Sequence, residues 1–182
     1  MSDSFAERTI ASQTVFEGKI VRLETHTVEL PNGRQSTREV IRHPGAVAVL
    51  AEPTPGTVIM VEQFRKAPEE TLLELPAGKL EPGEHSDVCA RRELQEETGF
   101  TAQSLKLLYE FYTSPGFADE KIVLFYATGL TQGASHPDED EFVRLRTLSR
   151  EEVRRELSAG KIRDAKTLVG LLWWLGESSS KT

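Results

Sequence analysis

The chain has one cysteine, Cys89, in 182 residues. No intramolecular disulfide can form, and the expectation is a reducing, cytoplasmic setting. Basic runs are also missing. With 22 Lys and Arg against 29 Asp and Glu, the net charge is −7, which excludes a nucleic-acid backbone as the expected partner. The longest apolar run, LVGLLWWLG at 168–176, falls short of the roughly 20 residues needed to span a bilayer, so no membrane partner is expected. The first residues, MSDSFAERTIASQTVF, lack the basic segment and apolar run of a signal peptide. The four histidines, at 26, 43, 85 and 136, show no spacing that suggests zinc ligation or a catalytic triad. Repeats, low-complexity segments and an interdomain linker are absent too. What remains, 38% hydrophobic and 28% charged, is a soluble globular composition, long enough for one domain with a real core.

Local patterns predict an α+β fold. Residues 14–30 are rich in β-branched side chains and read as a strand, closed by the hairpin signal Asn32-Gly33 and a return strand over 36–43. Apolar strands are expected at 46–52 and 57–64, with a short one at 72–75. A helix follows over 86–97, capped by Ser86 or Asp87 and stopped by Gly99. Strands at 105–113, 121–129 and 142–146 come next. Ser149-Arg-Glu-Glu152 has capping-box spacing and opens a helix to 158, and Asp164 caps a last helix at 165–175.

The stretch GKLEPGEHSDVCARRELQEETGF, residues 78–100, concentrates six carboxylates. Like charges four residues apart destabilise a helix by a few tenths of a kcal/mol. A solvated polar face is one explanation; a divalent-metal site is the other. Glu93 and Glu97 are i and i+4, so their carboxylates point the same way and can share cations. Oxygen ligands of this kind suit Mg²⁺ or Mn²⁺, which bridge to phosphates. Gly78 and Gly83 permit a tight loop before the helix. Arg92 stands one turn before Glu96, at ion-pair spacing. Cys89, between Val88 and Ala90, reads as a packing residue. Trp173 and Trp174, on an apolar helix, read as core or interface.

Gly78, Glu84 and Arg92-Glu93-Leu94-Gln95-Glu96-Glu97-Thr98-Gly99-Phe100 together resemble the Nudix hydrolase box at every specified position. The resemblance implies a Nudix-type mixed β-sheet/α-β-α sandwich and hydrolysis of a nucleoside diphosphate linked to another moiety. It casts Glu93 and Glu97 as the main metal ligands, joined by the Ala77 carbonyl, with Glu96 and Glu84 supporting. Two or three Mg²⁺ or Mn²⁺ ions per site are implied, activating water and stabilising phosphoryl oxygens.

Features outside the box resemble the ADP-ribose pyrophosphatase subfamily and imply hydrolysis of ADP-ribose to AMP and ribose 5-phosphate. Pro115, within Ser114-Pro115-Gly116, falls 15 residues after Phe100. Arg38 and Glu39 resemble residues contacting adenine or its phosphates, Arg65 a phosphate-binding arginine, and Glu120 a loop acid meeting the terminal ribose. Lys79 is a departure from the pattern: it follows the box glycine, where some relatives have an apolar residue beside the substrate. Glu139 aligns with a loop acid acting as general base, and Glu141 with its neighbour. EGKIVRLETHTVELPNG resembles an extension that forms homodimers, so residues 1–42 are expected to be a dimer-forming β extension and 43–182 the hydrolase domain. Two alternatives stay open: a substrate of the GDP-mannose or ADP-glucose type, and a non-catalytic ligand sensor on the same fold.

Overall fold

The computed structural model describes residues 4–133 and 142–177, and the chain divides into two compact units. The described part of Met1–Gly45 forms the first unit together with Tyr112–Lys121; Ala46–Phe111 with Ile122–Thr182 contains the second.

In the first unit, β1 (Arg8–Glu17), β2 (Arg22–Glu29) and β3 (Gln35–Arg42) make an antiparallel sheet in chain order. The single strand expected at 14–30 is therefore two strands. The Gly18 amide donates to the Val21 carbonyl at 2.9 Å and reverses the chain. The β-branched residues on either side of that turn blur it into one continuous pattern. Asn32-Gly33 is a turn as expected: Gly33 adopts φ 80°, a left-handed conformation that suits glycine. Every residue of β1 is exposed.

The second unit is built around β4 (Ala46–Ala51), whose six residues are all buried. Burial on both faces explains its unbroken apolar sequence. It lies parallel to β9 (Lys121–Gln132) in a sheet ordered β7-β4-β9-β8, with β7 Ala77–Lys79 and β8 Phe100–Tyr112. Alternate residues split the core in two. Val47, Val49 and Ala51 pack with Cys89, Ala90 and Leu94 of α1 (Ser86–Thr98). Ala48 and Leu50 pack with Val153 of α2 (Arg150–Ser158) and with Leu171 and Trp174 of α3 (Ala165–Glu177). Helices on both faces make this an α-β-α sandwich. A second sheet, ordered β10-β5-β6, holds β5 (Thr57–Arg65), β6 (Glu70–Glu74) and β10 (Val143–Ser149).

The capping box at Ser149 and Glu152 forms in both directions, and Asp164 accepts from the Thr167 amide at 3.0 Å. The residue preceding α1 is His85, which makes no side-chain cap; the expected caps, Ser86 and Asp87, lie inside the first turn. There Asp87 complements the positive end of the helix dipole. Among the described residues, no helix is long and apolar enough to cross a membrane.

Candidate active site

The buried stripe of α1 runs Cys89, Ala90, Glu93, Leu94, Glu97 and Thr98, at helical spacing. Two of its six members are glutamates. Glu93 is 9% exposed and Glu97 5%, so both carboxylates stand where burial costs free energy unless partners satisfy them. The helix ends sharply at Gly99, φ 74°, whose amide donates to the Gln95 carbonyl at 2.8 Å.

Arg92 ties the acids together. Its Nε and Nη2 donate to the two oxygens of Glu84, both at 3.0 Å. Its Nη1 donates to Glu93 at 2.8 Å and to Glu96 at 2.9 Å. The expected i,i+4 pair with Glu96 is present, and one guanidinium serves three glutamates. Hydrogen bonding to Glu84 first, then the fields and hydrogen bonds of Glu93 and Glu96, push the Arg92 pKa up. In return, Arg92 holds the Glu84 carboxyl down at about 2. Burial, helped by Glu84, pushes the Cys89 thiol up to about 12, which suits a packing residue and not a nucleophile.

The β7 segment faces this helix. The Ala77 amide donates to Glu97 at 3.1 Å, and the Lys79 carbonyl accepts from Cys89 at 3.4 Å and from Arg92 at 3.3 Å. A Cβ added to Gly78 would sit 1.8 Å from the Glu93 carboxylate carbon. The absent side chain leaves the cradle in which that carboxylate lies. Clustered carboxylates are hard oxygen donors and fit a divalent cation; at Ala77 it is the amide that meets Glu97. Among the described residues, no three or more His, Cys, Asp or Glu side chains come together so as to hold a metal ion by themselves. Mg²⁺ sites that share ligands with water and substrate phosphates need no such grouping.

The remaining residues singled out in the sequence fall at several places. Arg65, at the end of β5, donates through Nε and Nη2 to both oxygens of Glu74, each at 2.8 Å. In the first unit, Arg38 makes a fork to Glu7, at 2.9 and 2.5 Å. Glu39, the next residue on β3, is exposed on the opposite face. The Ser114 carbonyl accepts from the Phe117 and Ala118 amides, closing the turn that contains Pro115 and Gly116. Glu120 accepts from the Thr113 hydroxyl at 2.5 Å and lies 3.7 Å from His43 Nε2. Ser114 and Glu120 line a cavity of about 270 Å³ with Ile20, Ile41, His43 and Phe117. The spacing of His43 suggests no ligand or triad, and the acids it meets, Asp119 and Glu120, are distant in the chain. Sequence reasoning passed over Glu74, although an acid inside the apolar strand TLLEL is itself a signal of a buried partner. Trp174 is core as expected, 1% exposed. Glu139 and Glu141 lie outside the described residues.

Comparisons with known proteins match this arrangement. Residues 41–169 match the NUDIX domain model, and residues 7–41 match a model described as the nucleoside diphosphate sugar hydrolase N-terminal domain. An ADP-ribose pyrophosphatase of Bacillus subtilis (strain 168) is 49% identical over 170 residues, 92% of each chain. A methanol dehydrogenase activator of Bacillus methanolicus is 47% identical over 173 residues, 94% of each chain. A crystal structure of an ADP compounds hydrolase has a TM-score of 0.84 over 100% of both chains at 23% identity, a likeness of fold. The box helix, the sandwich around it and these matches agree: the chain belongs to the Nudix family of hydrolases.

Proposed function

We propose that the chain hydrolyses the diphosphate bond of ADP-ribose to AMP and ribose 5-phosphate. The observation that carries this reading is the pair of buried glutamates, Glu93 and Glu97, set against β7 in a chain 49% identical to an ADP-ribose pyrophosphatase. Glu93, Glu97 and the Ala77 carbonyl would hold two or three Mg²⁺ or Mn²⁺ ions, with Glu96 supporting, and the ions when bound activate water and stabilise phosphoryl oxygens. The chain's own work is positioning and proton transfer. Arg92 fixes Glu84, Glu93 and Glu96 through one guanidinium. Water adds to one phosphorus, the bond from that phosphorus to the bridging oxygen breaks, and Glu139 accepts the proton, with Glu141 as its neighbour.

Substrate recognition is assigned to Arg38, Glu39, Arg65, Lys79, the Ser114-Pro115-Gly116 turn and Glu120. The half-apolar cavity beside Ser114 and Glu120 supports that assignment, since ligand sites combine apolar walls with a few polar groups. We also assign the chain to a homodimer. The support is β1, exposed along its whole length and carrying Ile10, Val15 and Phe16 on its surface.

The test is a panel of ADP-ribose, GDP-mannose and ADP-glucose with Mg²⁺ or Mn²⁺. The reading expects the highest kcat/KM for ADP-ribose; preference for either other compound overturns the substrate and leaves the chemistry. No turnover of any would favour a ligand sensor. The likeness to a methanol dehydrogenase activator favours a second reading, in which the box serves a partner enzyme. Adding the chain to a methanol dehydrogenase assay separates the two.

A further inference from the structure

Glu74 is 1% exposed, yet it is an acid at the end of a strand. Two cations meet it: Arg65 through a two-bond fork, and Lys166 of α3 at 2.5 Å. Burial alone would push its pKa up, and the hydrogen bonds and fields of Arg65 and Lys166 outweigh that and bring it down. Lys166 is itself steadied by Asp164 at 3.1 Å.

The geometry of the fork leaves Arg65 half used. A guanidinium carries five N–H donors in one rigid plane. Nε and one Nη2 hydrogen are spent on Glu74; among the described residues Nη1 makes no hydrogen bond. With the inner edge locked, the outer edge is held in a fixed direction, and the side chain is 38% exposed. That edge has the spacing for two oxygens of a phosphate. Ile59, Val61, Gln63 and Arg65 alternate onto one face of β5, and Ile59 packs with Cys89, Ala90 and Leu94 of the box helix. Arg65 thus lies on the α1 side of the strand, where Glu97 and Asp164 add to the field that Glu74 exerts on it.

The backbone after Glu74 is anchored at both ends. The Leu75 amide donates to the Thr167 hydroxyl at 2.9 Å, and the Ala77 amide to Glu97 at 3.1 Å. The first turn of α3 and the last turn of α1 therefore hold residues 74–77 between them.

We infer that Glu74 is a positioning residue for phosphate recognition, locking Arg65 so that its outer N–H edge faces the substrate's diphosphate, with Lys166 as the second cation that holds Glu74 in place. This rests on the reading of the substrate as a nucleoside diphosphate sugar. It adds to the box a layer of residues from β5, β6 and α3 that the box motif does not contain.

The test is a double-mutant cycle on the full chain, with ADP-ribose and Mg²⁺: wild type, Arg65→Lys, Glu74→Gln and the double variant. Arg65→Lys keeps the charge and loses the fork, so kcat/KM is expected to fall about 10–100-fold. Glu74→Gln alone is expected to fall by a similar factor, mainly through KM, and to cost less than about threefold in the Arg65→Lys background. Costs that multiply in both backgrounds would mean that Glu74 only stabilises the fold, and would overturn the inference. So would an Arg65→Lys variant with unchanged KM. Should Glu74→Gln fail to fold, Lys166→Met takes its place in the same cycle, with the same dependence on Arg65 expected. Wild-type turnover of GDP-mannose or ADP-glucose in place of ADP-ribose overturns the substrate alone, and the cycle then runs on that compound. A wild type that hydrolyses none of them overturns both readings.

Discussion

Replacing Gly78 by alanine adds one carbon at the most crowded point of the site. That Cβ would lie 1.8, 1.9 and 2.2 Å from the carboxylate carbon and oxygens of Glu93. Carbon atoms rest at about 3.5–4.0 Å, so the carboxylate must retreat by about 1.5–2 Å. The obstacle is the far end of a flexible side chain, not backbone, and rotation can relieve it. The cost in stability is then small, about 1 kcal/mol, set by an off-rotamer Glu93 and a strained bond to Arg92. The cost in function is large, because the carboxylate that moves is the proposed metal ligand. A displacement of about 1 Å at a reacting centre costs on the order of 10²-fold. Gly78→Ala is therefore expected to melt within a few degrees of wild type while kcat on ADP-ribose falls about 100-fold. Denaturant unfolding and steady-state kinetics on the same preparation read both numbers. A variant with wild-type kcat would refute the placing of Glu93 in the metal site, and an unfolded one would refute the claim that only a side chain gives way.

Glu97→Gln is expected to fold and lose most activity at ordinary Mg²⁺, whereas Glu96→Gln costs less, since Glu97 is buried and the Glu96 side chain is 37% exposed; equal losses would contradict this division. Glu139→Gln should lower kcat by about 10²–10⁴-fold with KM little changed, and Glu141→Gln less. If both keep kcat within a few-fold, the base is elsewhere. Acid should destabilise the fold in a defined window. Hydrogen bonds from His26 and then Arg42 lower Glu24 from 4.5 to about 2, and Arg92 lowers Glu84 to about 2. The stability these pairs contribute is complete above pH 4.5 and lost as pH falls towards 2, so unfolding curves at pH 7, 5 and 3 should agree for the first two and weaken at the third. Removing residues 1–40 should lose dimerisation and substrate affinity; a full-length light-scattering mass of one chain with full activity would contradict the dimer.

Short-range chemistry was legible in the sequence. The box helix, its glycine stop, the Arg92–Glu96 pair and the capping box at Ser149 all join residues within four positions of each other, where helical spacing dictates what meets. The alternation of β4 between two core faces was hidden by its uninterrupted apolar sequence. The turn at Gly18 was hidden because strand-forming residues flank it closely. The three-residue strand β7 is too short to carry a period at all. Long-range pairs were out of reach for another reason. Glu74 meets Lys166 across 92 residues and Arg38 meets Glu7 across 31, and nothing in local spacing selects such partners. The role of a motif can thus be read locally, while the residues that hold it in place require the fold.

The most direct test of the central claim is the identity of the products. Incubated with ADP-ribose and Mg²⁺ and analysed by mass, the chain is expected to release AMP and ribose 5-phosphate in equal amounts, with release abolished by a chelator and restored by added cation. Intact ADP-ribose after prolonged incubation, or cleavage at a bond other than the diphosphate, would contradict it.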